Sequence, residues 1–168
     1  MLRRLAIVTA LLTVAVTAIA PAAGAVDLLD RKKLTGQVRA AVATAYPDLP
    51  VTAATCPKKV KMKPGVAATC PVTAGGYPLA MLVTVGDKKG HVTIASTQAV
   101  IPKANAEFLV AGNATLPTIA DCGPDPYLVR SPGESFTCTA TFADGTAQQV
   151  TLTTTDTAGN ATITSVTP

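Results

Sequence analysis

The sequence predicts an α+β fold of two tandem repeats, each a helix packed on a small antiparallel β-sheet with one disulfide inside the repeat. Three observations predict it. Cysteines bracket two segments of similar length, CPKKVKMKPGVAATC at 56–70 and CGPDPYLVRSPGESFTC at 122–138. A run with helical periodicity precedes each bracket, and short runs rich in Val, Thr and Ile surround it. We place the repeats at 26–101 and 102–168.

The first 25 residues have the features of a signal peptide. Arg3 and Arg4 precede an uncharged apolar run over 5–20, and small residues at 23–25 form a cleavage site. We expect cleavage after Ala25, because this run is shorter than the roughly 20 residues that span a bilayer. An uncleaved anchor is the alternative. The sequence therefore predicts a secreted protein, extracellular or associated with the cell wall, with no stable membrane span after cleavage.

The first repeat begins with an amphipathic helix between residues 27 and 46. Asp27 or Asp30 can cap its start, and Pro47 ends it. Its apolar positions recur at helical spacing: Leu34, Val38, Ala41, Val42 and Ala45. Pro-Gly, Gly-Gly and Asp-Lys-Lys-Gly turn signals separate the strands that follow, VTAAT from 51, VAATCPVT from 66, PLAMLVTV from 78 and HVTIASTQAV from 91. These strands predict an antiparallel meander.

The second repeat begins with a shorter helix candidate, PKANAEFLVAG, in which Pro102 lies near the start and Gly112 at the end. Its predicted strands are TLPTIAD from 115, ESFTCTATF from 134, AQQVTLTTT from 147 and NATITSV from 160. A helix packed on one face of a small sheet is therefore predicted in both repeats.

The repeat also predicts how the cysteines pair. Four cysteines allow three pairings. Both brackets have a Pro-Gly pair near the middle and a Thr-Cys pair at the end, and GHVTI from 90 corresponds to GNATI from 159. Each copy would then pair its own cysteines, Cys56 with Cys70 and Cys122 with Cys138. The spacing suits neither a redox pair nor a zinc site, and a disulfide that closes a loop of this size contributes about 3 kcal/mol.

These residues resemble the secreted actinobacterial family called domain of unknown function 4333, in two tandem copies that cover nearly the whole chain after the signal peptide. The matching positions are Cys56-Pro57, Gly65 and Cys70 in the first copy, and Cys122, Gly133, Phe136 and Cys138 in the second. The second copy has Gly123 inserted before Pro124. The resemblance implies the fold and export, and it implies no activity.

Candidates for catalysis are few, and we predict that the protein is not an enzyme. His91 is the only histidine; it follows a turn, and we expect it to be solvated. The serines lack the glycine pattern of a nucleophile elbow, and no second imidazole can activate them. Asp121 and Asp125 flank Cys122 in a proline-containing turn, where we expect both to be solvated. The sequence predicts no cofactor and no metal site.

Charge is distributed unequally between the two repeats. Residues 26–101 carry ten basic and four acidic side chains, a net charge of +6, whereas residues 102–168 carry two and six, a net charge of −4. Much of the excess lies in KKVKMK, where Lys59, Lys61 and Lys63 alternate with Val60 and Met62 and would occupy one face of a strand. With Lys58, they form the candidate contact for an anionic ligand; the alternative is a charged edge that blocks aggregation.

Two classes of function follow from these observations. The first is a non-catalytic binding module, secreted or associated with the cell envelope, whose partner is an anionic envelope polymer, a lipid headgroup or an extracellular protein. The second is a proteinaceous inhibitor of another extracellular protein, resembling the secreted β-lactamase inhibitory proteins in outline. Few aromatic anchors are available to an inhibitor, since the chain has three Tyr, three Phe and no Trp. Nucleic acid is not expected, because no aromatic side chain lies among the lysines.

Overall fold

The computed structural model describes residues 27–116 and 118–168; the predicted signal peptide lies outside this part of the chain. The first unit contains α1 (Arg31–Ala45), β1 (Val51–Ala54), β2 (Ala67–Ala74), β3 (Tyr77–Val85) and β4 (Val92–Ser96). The second contains β5 (Ala99–Pro102), α2 (Lys103–Asn113), β6 (Thr118–Asp121), β7 (Tyr127–Arg130), β8 (Ser135–Phe142), β9 (Ala147–Thr154) and β10 (Ala161–Thr167). Each unit is a helix on an antiparallel sheet, so the predicted fold class is confirmed.

Helix α1 begins where the sequence offered two capping residues. The Asp30 side chain accepts a hydrogen bond from the Lys33 backbone N–H at 2.8 Å, so Asp30 rather than Asp27 is the N-cap. Leu34, Val38 and Val42 lie on one face and are buried, as their spacing predicts. Ala45 is exposed in the last turn and does not extend this face. The buried face holds α1 against the first sheet.

The two four-stranded sheets have the same topology. Their strand orders are β1-β2-β3-β4 and β6-β8-β9-β10, and every neighbouring pair is antiparallel. The disulfides join Cys56 to Cys70 and Cys122 to Cys138, and both pairings are confirmed. Each bond links a cysteine one or two residues beyond the first edge strand to a cysteine in the adjacent strand.

A two-stranded ribbon joins the units, and this element was not predicted. We call β5 paired with β7 the junction ribbon. The sequence predicts one strand over 91–100, and this prediction is wrong: the chain turns at residues 97–98 and leaves the first sheet. Several hydrogen bonds hold the turn; in two of them, the Ser96 hydroxyl donates to the Gln98 carbonyl at 2.6 Å and the Ala80 N–H donates to the Gln98 side chain at 2.9 Å. The predicted boundary between residues 101 and 102 falls inside β5.

The junction ribbon contributes one face to each hydrophobic core. Val100, only 9% exposed, belongs to the first core, and Val129, opposite it in the ribbon, packs against the same core. Ile101 and Leu128 point the other way and are buried in the second core. Because side chains alternate along a strand, a single ribbon can complete both cores. The rings of Tyr77 and Tyr127 meet edge to face beside it, with centroids 6.0 Å apart.

Candidate anionic-ligand site

The lysine segment, residues 58–63, is exposed through its lysines and anchored by its apolar residues. Val60 is 3% exposed and Met62 is half-buried, whereas the four lysines Lys58, Lys59, Lys61 and Lys63 are all exposed. The predicted alternation of faces is therefore present. Among the described residues, no carboxylate oxygen lies within 4.0 Å of these four ammonium groups.

The lysine segment is not a strand, and the prediction that it forms one is wrong. It pairs with residues 27–29 through an isolated bridge between Leu28 and Lys61. Two backbone bonds of 2.8 Å flank the bridge, from the Leu29 N–H to the Val60 carbonyl and from the Met62 N–H to the Asp27 carbonyl. The pairing stops there because α1 begins at residue 31 and Pro57 and Pro64 border the segment. The segment also lies outside the four-stranded sheet.

A groove lies beside the lysine segment, with Met62 of that segment in its wall and two lysines from elsewhere in the first unit in its lining. This lysine groove is a cavity of 240 Å³ with apolar walls from Leu28, Leu29, Leu34 and Met62; its polar lining residues are Asp30, Lys33, Gln37 and Lys89. Neither Lys33 nor Lys89 was predicted to belong to the site. They lie at the start of α1 and in the turn between β3 and β4, and only the fold brings these two residues to the groove beside the lysine segment.

Gly90 allows the turn between β3 and β4 to approach the lysine segment. Its φ is +85°, a backbone conformation that residues with a side chain rarely adopt, and an added Cβ would lie 3.0 Å from the Met62 sulfur. The same Cβ would lie 3.2 Å from a methyl carbon of Leu29. Glycine at this position therefore keeps Lys88 and Lys89 beside the groove.

The residues considered for catalysis are not brought together. His91 is exposed, and its Nδ1 lies 2.5 Å from a carboxylate oxygen of Asp87 in the same turn. The hydrogen bond from His91 holds the pKa of Asp87 below its ordinary value of 3.8. Asp121 lies in the other unit, 3.8 Å from the Lys103 ammonium. Within 27–116 and 118–168, no group of three or more metal-binding side chains occurs.

Comparison with known proteins identifies part of the chain. Residues 12–90 match the family described as Domain of unknown function (DUF4333). The match ends before β4, so most of the first unit is similar to a DUF4333 domain. The match contains α1, the first disulfide and every lysine of the groove. The second unit shares the topology and has its own disulfide, but the family does not match it, so the predicted second copy is supported by the fold alone. No curated protein and no solved structure matches the chain.

The two disulfides, one in each unit, indicate an extracellular or otherwise oxidising location. In the part of the chain that the structure describes, no helix is long and apolar enough to cross a membrane.

Proposed function

We propose that this protein is an exported, non-catalytic binding module whose first unit binds phosphate-bearing anionic material of the cell envelope through the lysine segment and the lysine groove beside it. One observation carries the proposal: among the described residues, no carboxylate lies within 4.0 Å of the four exposed lysines of the segment, while Val60 between them is buried in the core. Such a segment presents cationic groups on an ordered backbone.

The second unit indicates that the fold does not require these lysines. Lys59 and Lys61 lie eleven and nine residues before Cys70, and Tyr127 and Val129 occupy the same places before Cys138. Those two residues belong to β7 and pack against the first core. The same position in the fold thus carries apolar residues in the second unit and lysines in the first.

Lysine chemistry favours a repeating anion over a single small molecule. An ammonium group is a compact, strongly hydrated point charge on a flexible stem, and it lacks the planar fork with which arginine selects one geometry. Several lysines in a line bind a series of phosphate groups by summed electrostatic attraction. Binding of this kind weakens as salt rises, because exposed charges are screened beyond about 10 Å at 0.1 M ionic strength.

Export is part of the proposal. We infer that the segment before residue 26 is a signal peptide cleaved after Ala25, which would leave Val26 as the first residue of the mature protein. The protein would then be secreted, extracellular or held at the cell wall.

Replacing Lys59, Lys61 and Lys63 with Gln should weaken retention on an immobilised polyphosphate column at least about tenfold, because the loss of three charges removes most of the local attraction. The thermal midpoint should hardly change, since exposed charges contribute about 0 to 1 kcal/mol each. The control variant makes the same change in net charge elsewhere, by placing Glu at the exposed positions Thr137, Gln149 and Thr162 of the second unit.

Two further comparisons complete this test. Vesicles of phosphatidylglycerol, with phosphatidylcholine vesicles as a control, distinguish a lipid headgroup from a soluble polymer. Equal retention of the lysine variant and the control variant on both anionic materials would contradict the proposal.

One observation favours the second function class, a proteinaceous inhibitor. Phe108 is 79% exposed on α2, and Leu116 and Ile119 are exposed at β6 and just before it. Exposed aromatic and aliphatic side chains are the anchors that protein interfaces use. If this class is correct, the purified protein should capture an extracellular protein whose binding is lost in Phe108→Ser and kept in the triple lysine variant.

A further inference from the structure

We infer that this protein associates head to tail with a second copy of itself, with the outer face of the Leu28–Lys61 pair docking on the open end of the second unit. This inference goes beyond the proposed function and concerns a different partner. It rests on the way in which the two units of one chain already pack against each other.

The paired residues Leu28 and Lys61 occupy the place that Val100 and Val129 occupy in the junction ribbon. Leu28 lies two residues before the N-cap of α1, and Val100 lies two residues before the N-cap of α2. Lys61 lies nine residues before Cys70, and Val129 nine before Cys138. In each pair, the two residues lie directly opposite each other on two antiparallel backbone segments. The first unit therefore has its own, shorter version of the ribbon.

The inner face of each ribbon packs into the core of its own unit, whereas the outer faces of the two ribbons have different surroundings. Val60 is buried in the first core as Leu128 is buried in the second. Val100 and Val129, on the outer face of the junction ribbon, pack against the core of the preceding unit. Leu28, on the outer face of the first ribbon, is 44% exposed. The first unit therefore presents an uncovered form of the face that joins the units within the chain.

The far end of the second unit offers a matching surface. A cavity of 170 Å³ opens there, with an apolar lining that includes Val110, Ala140, Phe142 and Ile163. Val166 also lines it and is 53% exposed. The equivalent positions in the first unit include Val42, the last buried residue of its helix, and Val72, two residues after the second cysteine of the pair. Both belong to the core cluster that includes Val100, and Val100 and Tyr127 of the junction ribbon line one cavity with Ala45 and Leu49 at the end of α1 and just beyond it, so the ribbon lies at this end of the first unit.

Charge favours a second copy of this chain as the occupant. The ribbon end is basic, with a net charge of +6 over residues 26–101, and the receiving unit is acidic, with a net charge of −4 over residues 102–168. Asp144 lies in the turn directly after Phe142, and hydrogen bonds from Thr146 hold its pKa below the ordinary value. It therefore stays ionised near the cavity, where it can attract the lysine segment of a second copy.

This contact joins two different surfaces, so it is heterologous. Heterologous contacts produce rings when the rotation closes and open chains when it does not. The purified protein should therefore form species larger than a dimer as its concentration rises, and salt should weaken their formation. Sedimentation velocity from about 10 µM to about 1 mM covers the range of affinity that an interface of this kind usually gives.

Two variants that change no charge test the surfaces separately. Leu28→Gln removes the apolar side chain of the ribbon face, and Val166→Gln removes one from the receiving end. Each should weaken self-association about tenfold or more, because the lost side chain no longer buries apolar surface. Phe108→Gln is the control, since Phe108 is exposed but lies outside the cavity lining. Circular dichroism on every variant verifies that the fold is kept.

Mixing the two variants gives the sharpest outcome. Leu28→Gln keeps an intact receiving end and Val166→Gln keeps an intact ribbon, so an equimolar mixture should form a one-to-one dimer that grows no further. A wild type that stays monomeric up to about 1 mM would overturn the inference. So would a symmetric dimer, or association that neither variant weakens. Val166 lies in the second unit, outside the lysine groove, so Val166→Gln should leave retention on polyphosphate unchanged, which separates this result from the test of the proposed function.

Discussion

Val100→Asp is expected to lower the free energy of unfolding by about 3–5 kcal/mol, because it places an unpaired carboxylate in a site that both units close. Val100 is 9% exposed within the first core, although β5 leads directly into α2 of the second unit. The variant should therefore loosen the contact between the units as well as destabilise the fold. Urea denaturation followed by circular dichroism measures the first effect, and small-angle scattering measures the second as an increased radius of gyration.

The matched control is Thr162→Asp, which adds the same charge at an exposed position of β10. Surface substitutions of this kind usually change stability by less than about 0.5 kcal/mol. If Val100→Asp were no more destabilising than this control, the junction ribbon would not be shared between the two cores.

Removing the first disulfide, by Cys56→Ala with Cys70→Ala, should lower the free energy of unfolding by about 3 kcal/mol, with a range of 2–5 kcal/mol for small secreted domains. The second disulfide is the comparison. The sequence separations are 14 and 16 residues, so the constraint placed on the unfolded chain is nearly equal. Cys122→Ala with Cys138→Ala should therefore lower the free energy of unfolding by about the same amount.

Guanidinium denaturation of the two double variants beside wild type measures both losses. Both are compared with the exposed variant Thr69→Ala, which leaves the bond in place. Stability close to wild type in either double variant would contradict the view that each small core depends on its own disulfide.

Local patterns in the sequence were sufficient to predict the helices and most strands. The spacing of Leu34, Val38 and Val42 fixes the buried face of α1, and the Gly and Pro turns separate runs whose β propensity is high. The internal repeat then selected one of three cysteine pairings. Each of these inferences depends on residues close in the chain, or on comparing one half with the other.

The junction ribbon could not be predicted, because it depends on contacts between residues far apart in the chain. DPYLVR at 125–130 contains Pro126 and follows Pro124, and no strand was predicted there, yet Tyr127–Arg130 forms β7 against Ala99–Pro102. The strand forms because each of its faces reaches a different core. Nothing in the local pattern indicates that a second core is present on the other side.

The structure of the lysine segment was predicted only in part, because it too depends on contacts between residues far apart in the chain. The alternation of lysines with apolar residues correctly indicated that the lysines are exposed and Val60 is buried. The predicted strand was too long, because the segment pairs with residues 27–29 through a single bridge. Lys33 and Lys89 were missed because α1 and the turn between β3 and β4 meet only in the folded unit. The lysine groove is therefore a property of the tertiary structure.

A titration with sodium polyphosphate, monitored by amide chemical shifts, tests whether phosphate-bearing anions bind at the lysine segment and the lysine groove. We expect the shifts of residues 59–63 and 88–90 to move together with the first turn of α1, while those of residues 131–168 stay in place. The movement should be lost at about 0.5 M salt, because screening shortens the reach of exposed charges. Shifts confined to the second unit, or none at millimolar polyphosphate, would contradict the account.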